Sequence, residues 1–233
     1  MSLRKFYHIT GAKEARNAIK EILDTDYGVP FTKKDMKVYR NLERIQMRGV
    51  PPLQLWVMTS SGPPGKGWTE YRWRKFNKQL PSLLKRIQVP LFRGTTFPWI
   101  GGSHIKFKNK ATIKDKIRKT FDAFDAKEVV PIRRIMSWTS SRKIANTFAK
   151  KFKGNKVVPG FALGDGYIHV IYPPTVGVDV YASLQKMKLI SLGHSDELLV
   201  AKREKEFLLL PKMVLVPIKR RGRVFEWKLI YHP

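Results

Sequence analysis

Glu204 and Glu206 stand two residues apart in Arg203-Glu204-Lys205-Glu206-Phe207-Leu208-Leu209-Leu210-Pro211, directly before an apolar run. On a strand that spacing puts both carboxylates on one face. Like charges so close raise at least one pKa unless cations compensate, and a carboxylate tuned in that way can hold or take a proton. In Ser137-Trp138-Thr139-Ser140-Ser141 the same spacing gives Ser137 and Thr139 a shared face, a hydroxyl pair available to a ligand or to a neighbouring carboxylate. Ser140 or Ser141 also suits the N-cap of a following helix. In Leu91-Phe92-Arg93-Gly94 an arginine ends a short strand; its paired N–H groups can grip a diphosphate, and the glycine lets backbone approach a ligand. Each stretch alone also fits a plainer role: a helix cap, a solvated strand edge, or one Arg-Gly among 46 basic residues.

Two regions of different periodicity must position these groups. Residues 1–88 read as mainly helical, a region packed on a core of residues 89–233. Ala15, Ala18, Ile19, Ile22 and Leu23 fall at helical spacing within 12–24. A second helix runs from Thr32, its N-cap, to about Met47, with Asp35 three residues after the cap. Residues 59–67 are a breaker-rich loop. Helix resumes from Trp68 to Arg86, kinked or divided at Pro81. Strands follow at 89–94, 135–138, 167–172 and 204–210, with 103–110 an exposed strand or loop. Helices are expected at 112–124 and 141–151. Residues 213–218 and 224–231 form a hairpin through Lys219-Arg220-Arg221-Gly222-Arg223. The class expected from this order is α+β.

Composition narrows the setting. Hydrophobic residues make up 42% of the chain, enough for a core, so this is not a disordered basic tail. No apolar run reaches the roughly 18 residues of a membrane helix. Met1-Ser2-Leu3-Arg4-Lys5 leads into no apolar stretch, so no signal peptide is expected. The chain has no cysteine, which fits a cytoplasmic location and excludes thiolate metal sites. Its five histidines (His8, His104, His169, His194, His232) are dispersed, and no metal is expected. The formal net charge is +28, shared between residues 1–90 (18 basic, 7 acidic) and 91–233 (28 basic, 11 acidic). Such a field draws polyanions, so nucleic acid or a nucleic-acid-binding protein is the expected partner, with an acidic antitoxin as the next.

The order Arg-Gly, Ser-x-Thr-Ser, Glu-x-Glu before an apolar run and a proline resembles the mono-ADP-ribosyltransferases of the Arg–Ser–Glu class, which include arginine-modifying bacterial toxins and transferases of tailed phages. The resemblance spans about residues 89–233 and takes in the Ile144-Ala145-Asn146-Thr147-Phe148-Ala149 helix, the Tyr167–Tyr172 strand and the closing hairpin. It implies a split β-sandwich preceded by a helical region, and NAD as the substrate. Arg93 then grips the NAD phosphates, Gly94 offers backbone to the nicotinamide amide, and Ser137 positions the catalytic glutamate, with Thr139 third in the hydroxyl motif. Glu206 bonds the nicotinamide ribose and stabilises the oxocarbenium ion; Glu204 activates an acceptor guanidinium. The chain departs from the family at Trp138, which takes the middle of the hydroxyl motif, and in the four residues that separate Glu206 from Pro211, where three are usual.

The implied chemistry is sound in itself. Breaking an N-glycosidic bond puts positive charge on the ribose, and a nearby carboxylate stabilises that charge more in the transition state than in the ground state. In the family the loop corresponding to Ser191–Arg203 selects the acceptor, which makes Ser191, His194, Asp196 and Glu197 candidates. The Glu-x-Glu form implies a protein arginine; the charge implies an acceptor among the transcription or translation machinery, or RNA or DNA itself. A toxin or phage effector acting in a host cytoplasm is the setting the resemblance implies. Residues 104–119, with seven basic residues and Asp115, and residues 219–223 are possible phosphate-tracking surfaces. Trp68, Tyr71, Trp73 and Phe76 interleave with Arg72, Arg74 and Lys75, to stack on bases or to bury as a helix face. Two other readings stand beside the transferase: a non-enzymatic basic nucleic-acid-binding protein, and an NAD glycohydrolase toxin.

Overall fold

A computed structural model describes residues 3–24, 32–59, 69–100, 110–150, 166–190 and 197–231. They form two compact units. One comprises Met1–Gln79 with Leu184–Val200; the other comprises Leu80–Ser183 with Ala201–Pro233.

The first unit is helical. Helices α1 (Ala12–Asp24) and α2 (Lys33–Gln46) follow the apolar spacing of the sequence. They meet along Ala15, Ala18, Ile19 and Ile22 on one side and Val38, Leu42 and Ile45 on the other, with Leu3 and Phe6 closing the cluster. Thr32 caps α2 through a reciprocal box: the Asp35 amide donates to Thr32 Oγ1 at 3.2 Å, and the Thr32 amide donates to Asp35 Oδ2 at 3.3 Å. The Leu3 amide donates to Asp35 Oδ1 at 2.9 Å, so one carboxylate ties the start of the chain to α2. The Thr32 hydroxyl first, then the Leu3 amide, hold the Asp35 carboxyl below its ordinary pKa.

Helix α3 (Pro52–Thr59) was not expected, because Pro-Leu-Gln-Leu-Trp-Val-Met-Thr is apolar all round and shows no period. Leu53, Leu55, Trp56 and Val57 are all buried. Helix α4 (Glu70–Gln79) stacks Phe76 on Trp56 and Trp73, with ring centroids 5.7 and 5.8 Å apart. Trp73 and Phe76 therefore serve packing, Tyr71 is well exposed, and Trp68 lies outside the described residues. Gln54, fully buried, clasps the Ile190 backbone by donating to its carbonyl at 2.7 Å and accepting from its amide at 3.1 Å. That clasp fixes the later segment within the first unit.

The second unit is built on nine strands: β1 (Leu84–Ile87), β2 (Leu91–Thr95), β3 (Val130–Pro131), β4 (Met136–Thr139), β5 (Tyr167–Ile171), β6 (Thr175–Asp179), β7 (Glu206–Leu209), β8 (Met213–Arg221) and β9 (Val224–Tyr231). Their order is β1-β6-β7-β4-β2-β5-β9-β8-β3, antiparallel except where β5 and β9 run parallel. The fold is α+β, as the sequence implied. The helix expected from Trp68 to Arg86 stops at Gln79: Pro81 lies in a 3-10 turn (Leu80–Leu83), and the chain re-emerges as β1, an edge strand. The closing hairpin turns more tightly than expected, at Gly222–Arg223, because β8 extends through Lys219, Arg220 and Arg221.

Helix α5 (Lys110–Asp125) covers one sheet face, where Phe124 meets Phe225 and Trp227 edge-on at 4.9 and 4.8 Å. Helix α6 (Arg142–Lys150) packs Ala145 and Ala149 against Ile168, Val170 and Phe92. Helix α7 (Val180–Gln185) is capped by Asp179, whose Oδ1 accepts from the Ala182 amide at 2.9 Å. Helix α8 (Glu197–Glu204) leads directly into β7. Among the described residues no helix is long and apolar enough to cross a membrane.

Candidate active site

Strands β2 and β4 are joined by one register pair, Phe92 with Thr139. Beyond it the ladder opens, and the Arg93 side chain fills the gap: its Nη1 donates to the Ser137 carbonyl. A backbone acceptor left by the opening is thus satisfied by a guanidinium. Arg93 Nε is buried without a hydrogen-bond partner among the described residues. Burial, then the charge of Arg134, lower the Arg93 pKa to about 10, while the Glu206 carboxylate acts in the opposite sense. Arg93 remains a cation at neutral pH, with a buried donor to spare.

Glu206 opens β7 directly across from Thr139, and it is 8% exposed. A carboxylate this enclosed is costly unless cations or donors face it, and Arg93 is a cation that its field reaches. Ser137 pairs instead with Leu208, so Thr139 is the hydroxyl residue opposite Glu206. Thr139 Oγ1 donates to the Glu204 carbonyl at 2.7 Å and accepts from the Ser141 amide at 3.0 Å. Ser141 caps α6, its Oγ accepting from the Ile144 amide at 3.4 Å. The structure thus brings Arg93, Gly94, Ser137, Thr139 and Glu206 to one place.

Glu204 is a correction. It does not share a strand face with Glu206, because it is the last residue of α8. Lys205 follows with φ +49° and sends its amide to the Ala201 carbonyl at 2.9 Å, a left-handed helix stop. The carbonyls at and just after the end of α8 are met from the end of β4 and the residue after it: Thr139 Oγ1 reaches that of Glu204, and the Ser140 amide reaches that of Lys205 at 3.1 Å. Glu204 is half-buried beside the site, with its backbone in the contact. Ser191, His194 and Asp196 lie outside the described residues, as do residues 104–109 of the basic run. Among the described residues no His, Asp and Glu group has the makings of a metal site.

One of the five histidines read as dispersed in the sequence lies buried behind Arg93. His169 faces Arg93 across the β2–β5 ladder and is fully enclosed. Trp227 Nε1 donates to His169 Nδ1 at 3.2 Å. Nδ1 is therefore unprotonated, and Nε2 carries the hydrogen toward Thr95 Oγ1 at 3.0 Å. Thr95 in turn donates to the Phe97 carbonyl at 2.6 Å. Every link has one donor and one acceptor, which fixes the neutral tautomer. Burial first, then Arg93, depress the His169 pKa to about 3. The unfolded chain takes up this proton near pH 6.5, whereas the folded chain does so only near pH 3. Above 6.5 both states are neutral and the group contributes nothing to the pH dependence. Between the two values stability falls with acidification by about 1.4 kcal/mol per pH unit. A loss of about 2 kcal/mol by pH 5 is expected in denaturant titrations, and His169→Asn should flatten that slope; an unchanged slope would contradict the buried neutral assignment.

A cavity of about 500 Å³ lies elsewhere in the second unit, lined by Trp99, Lys116, Lys119, Phe124 and Trp227 among others. The Lys116 ammonium stands 4.6 Å from the Trp99 ring centre. Arg93, Ser137, Thr139 and Glu206 are not among its lining residues.

No protein-family model matches this chain, and no curated protein does. Solved structures of low identity do. The ADP-ribosyltransferase HopU1 of Pseudomonas syringae pv. Tomato DC3000 is 18% identical with a TM-score of 0.35, over 62% of this chain and 46% of that one. The chain thus spans less than half the length of HopU1. The eukaryotic mono-ADP-ribosyltransferase ART2.2 is 12% identical with a TM-score of 0.38, over 95% and 77% of the two chains. The ADP-ribosyltransferase Vis, in complex with agmatine, is 12% identical with a TM-score of 0.33, over 93% and 84%.

Proposed function

We propose that this chain transfers ADP-ribose from NAD to an acceptor and releases nicotinamide, with Glu206 as the catalytic carboxylate. The observation that carries the reading is the meeting of Arg93, Thr139 and Glu206 where the β2–β4 ladder opens. Arg93, with one N–H group engaged and a buried Nε unpartnered, suits a diphosphate. Glu206 provides the fixed negative charge that a ribose oxocarbenium ion needs, and its enclosure strengthens that interaction. The departing nicotinamide takes the electron pair of the broken C1′–N bond and leaves neutral; the acceptor supplies the pair for the new bond and gives up its proton. We extend the reading to a toxin or phage effector, on the sequence resemblance alone.

Release of nicotinamide from NAD by the purified chain, followed by transfer of labelled ADP-ribose into a cell extract, tests this. Release without any labelled acceptor would point to a glycohydrolase, and no release at all to a non-enzymatic nucleic-acid binder. Glu204 separates the two half-reactions. Its bond to Thr139 runs through the backbone carbonyl, so Glu204→Ala leaves that bond in place. The expected outcome is nicotinamide release within about threefold of wild type, and transfer reduced about 10²-fold, the size of a lost general base. Equal loss of both would remove Glu204 from acceptor activation.

A further inference from the structure

Beside the proposed site lies a rim of cations. Arg142 and Lys143 open α6; Lys202, Arg203 and Lys205 surround the end of α8. All five are exposed, and none has an ion pair among the described residues. The two segments are held together: the Ser140 amide donates to the Lys205 carbonyl, and Thr139 Oγ1 to the Glu204 carbonyl. The rim therefore sits one residue from Glu206 on one side and three from Thr139 on the other. Elsewhere in the second unit some basic side chains are paired, as in Arg220 with Asp125, Lys85 with Asp179, and Arg118 and Lys119 with Asp115, while others such as Lys212 and Lys228 have no ion pair among the described residues. Within residues 139–150 and 201–206 the only acids are Glu204 and Glu206 themselves.

We propose, building on the transferase reading, that the acceptor is a single-stranded nucleic acid whose phosphates lie on the rim of Arg142, Lys143, Lys202, Arg203 and Lys205. An arginine acceptor is a cation at every physiological pH, and five cations with no ion pair among the described residues repel its approach. A phosphate chain is attracted by each of them and releases counterions as it docks. Phe148, 42% exposed on the same helix, adds an aromatic surface of the kind that stacks on bases. An acidic protein would meet the same charges and is one outcome of the test below. In the transfer the C1′–nicotinamide bond breaks with its electron pair leaving on nicotinamide. A lone pair on an amino nitrogen of a base or on a sugar hydroxyl oxygen forms the new bond to C1′. The proton of the attacking atom passes to a carboxylate or to water, so no oxidant or reductant is required.

The test mixes the purified chain, NAD labelled in its adenylate phosphate, a short mixed-sequence single-stranded RNA or the DNA of the same sequence, and a protein extract freed of nucleic acid. Label is expected on one oligonucleotide, which tells RNA from DNA. Replacing all five rim residues by Gln should cut oligonucleotide labelling at least ~10-fold and flatten the plot of log affinity against log salt by about 3.5, at roughly 0.7 per lost contact. Arg142→Gln with Lys143→Gln alone should flatten it by about 1.4, which keeps the test available if the larger variant does not fold. Lys212→Gln with Lys228→Gln, exposed residues that lie past the far end of β7 and on β9, should change neither. Label found on protein with nicotinamide release intact would overturn the acceptor assignment alone. So would rim variants with wild-type labelling and salt dependence. A wild type that releases no nicotinamide would overturn the transferase reading together with its acceptor.

Discussion

Glu206→Gln is expected to lower nicotinamide release from NAD by about 10³-fold or more, with the fold unchanged. The substitution keeps the shape of a side chain that is 8% exposed and removes only its charge. Loss of that charge is felt where the ribose becomes cationic, so kcat falls while NAD affinity changes little. Removal of a single preorganised electrostatic group costs about 10²–10³ in comparable sites, and a direct counter-charge sits at the upper end. Stability should not suffer, because an amide is cheaper to enclose than a carboxylate. Nicotinamide release and thermal unfolding, measured on one preparation, check both halves. A variant with wild-type turnover would remove Glu206 from the reaction.

Gly94→Ala should unfold the second unit more readily than any other single methyl addition considered. A Cβ there would stand 1.8 Å from the Ala145 carbonyl oxygen and 2.6 Å from the Ala149 amide nitrogen. Both are backbone atoms of α6, so no side chain can swing aside, and helix and strand must part. A cost of about 3 kcal/mol or more follows, at the upper end of overpacking effects. That corresponds to a fall in Tm of about 6–12 °C for a chain of this size. Gly222→Ala is the contrast: its φ is +58° and nothing lies within 4 Å of the added carbon, so only the left-handed backbone penalty of about 1–2 kcal/mol applies. Equal Tm shifts for the two would contradict the close approach of α6 to β2. This packing demand gives Gly94 a reason to be glycine whether or not a ligand approaches its backbone.

The elements most legible in the sequence were those stabilised locally. Helices α1 and α2 carry their apolar stripe and capping box within a few turns, and β5 and β9 carry alternation and β-branched or aromatic residues. Helix α8 was not legible. Glu-Leu-Leu-Val-Ala-Lys-Arg-Glu is a fair helix, but its end overlaps the alternation Glu204-Lys205-Glu206-Phe207, which reads as strand. The break depends on Lys205 taking a positive φ, a conformation that its residue type seldom adopts. The order of the Arg93, Ser137–Thr139 and Glu206 stretches was enough to expect them together. Their register was not, since it depends on strand pairing across nearly seventy residues: Thr139, and not Ser137, faces Glu206. His169 was read as one dispersed histidine, because its partners Thr95 and Trp227 come from strands that meet only in the folded sheet.

The bonds from Thr139 and Ser140 to the carbonyls at and just after the end of α8 have a mechanical meaning. They leave no slack between the helix that ends in Lys202 and Arg203 and the strand tip opposite Glu206. A pull on those side chains would therefore be passed straight to the Thr139–Glu206 pairing, so in this molecule load and alignment share a single lever.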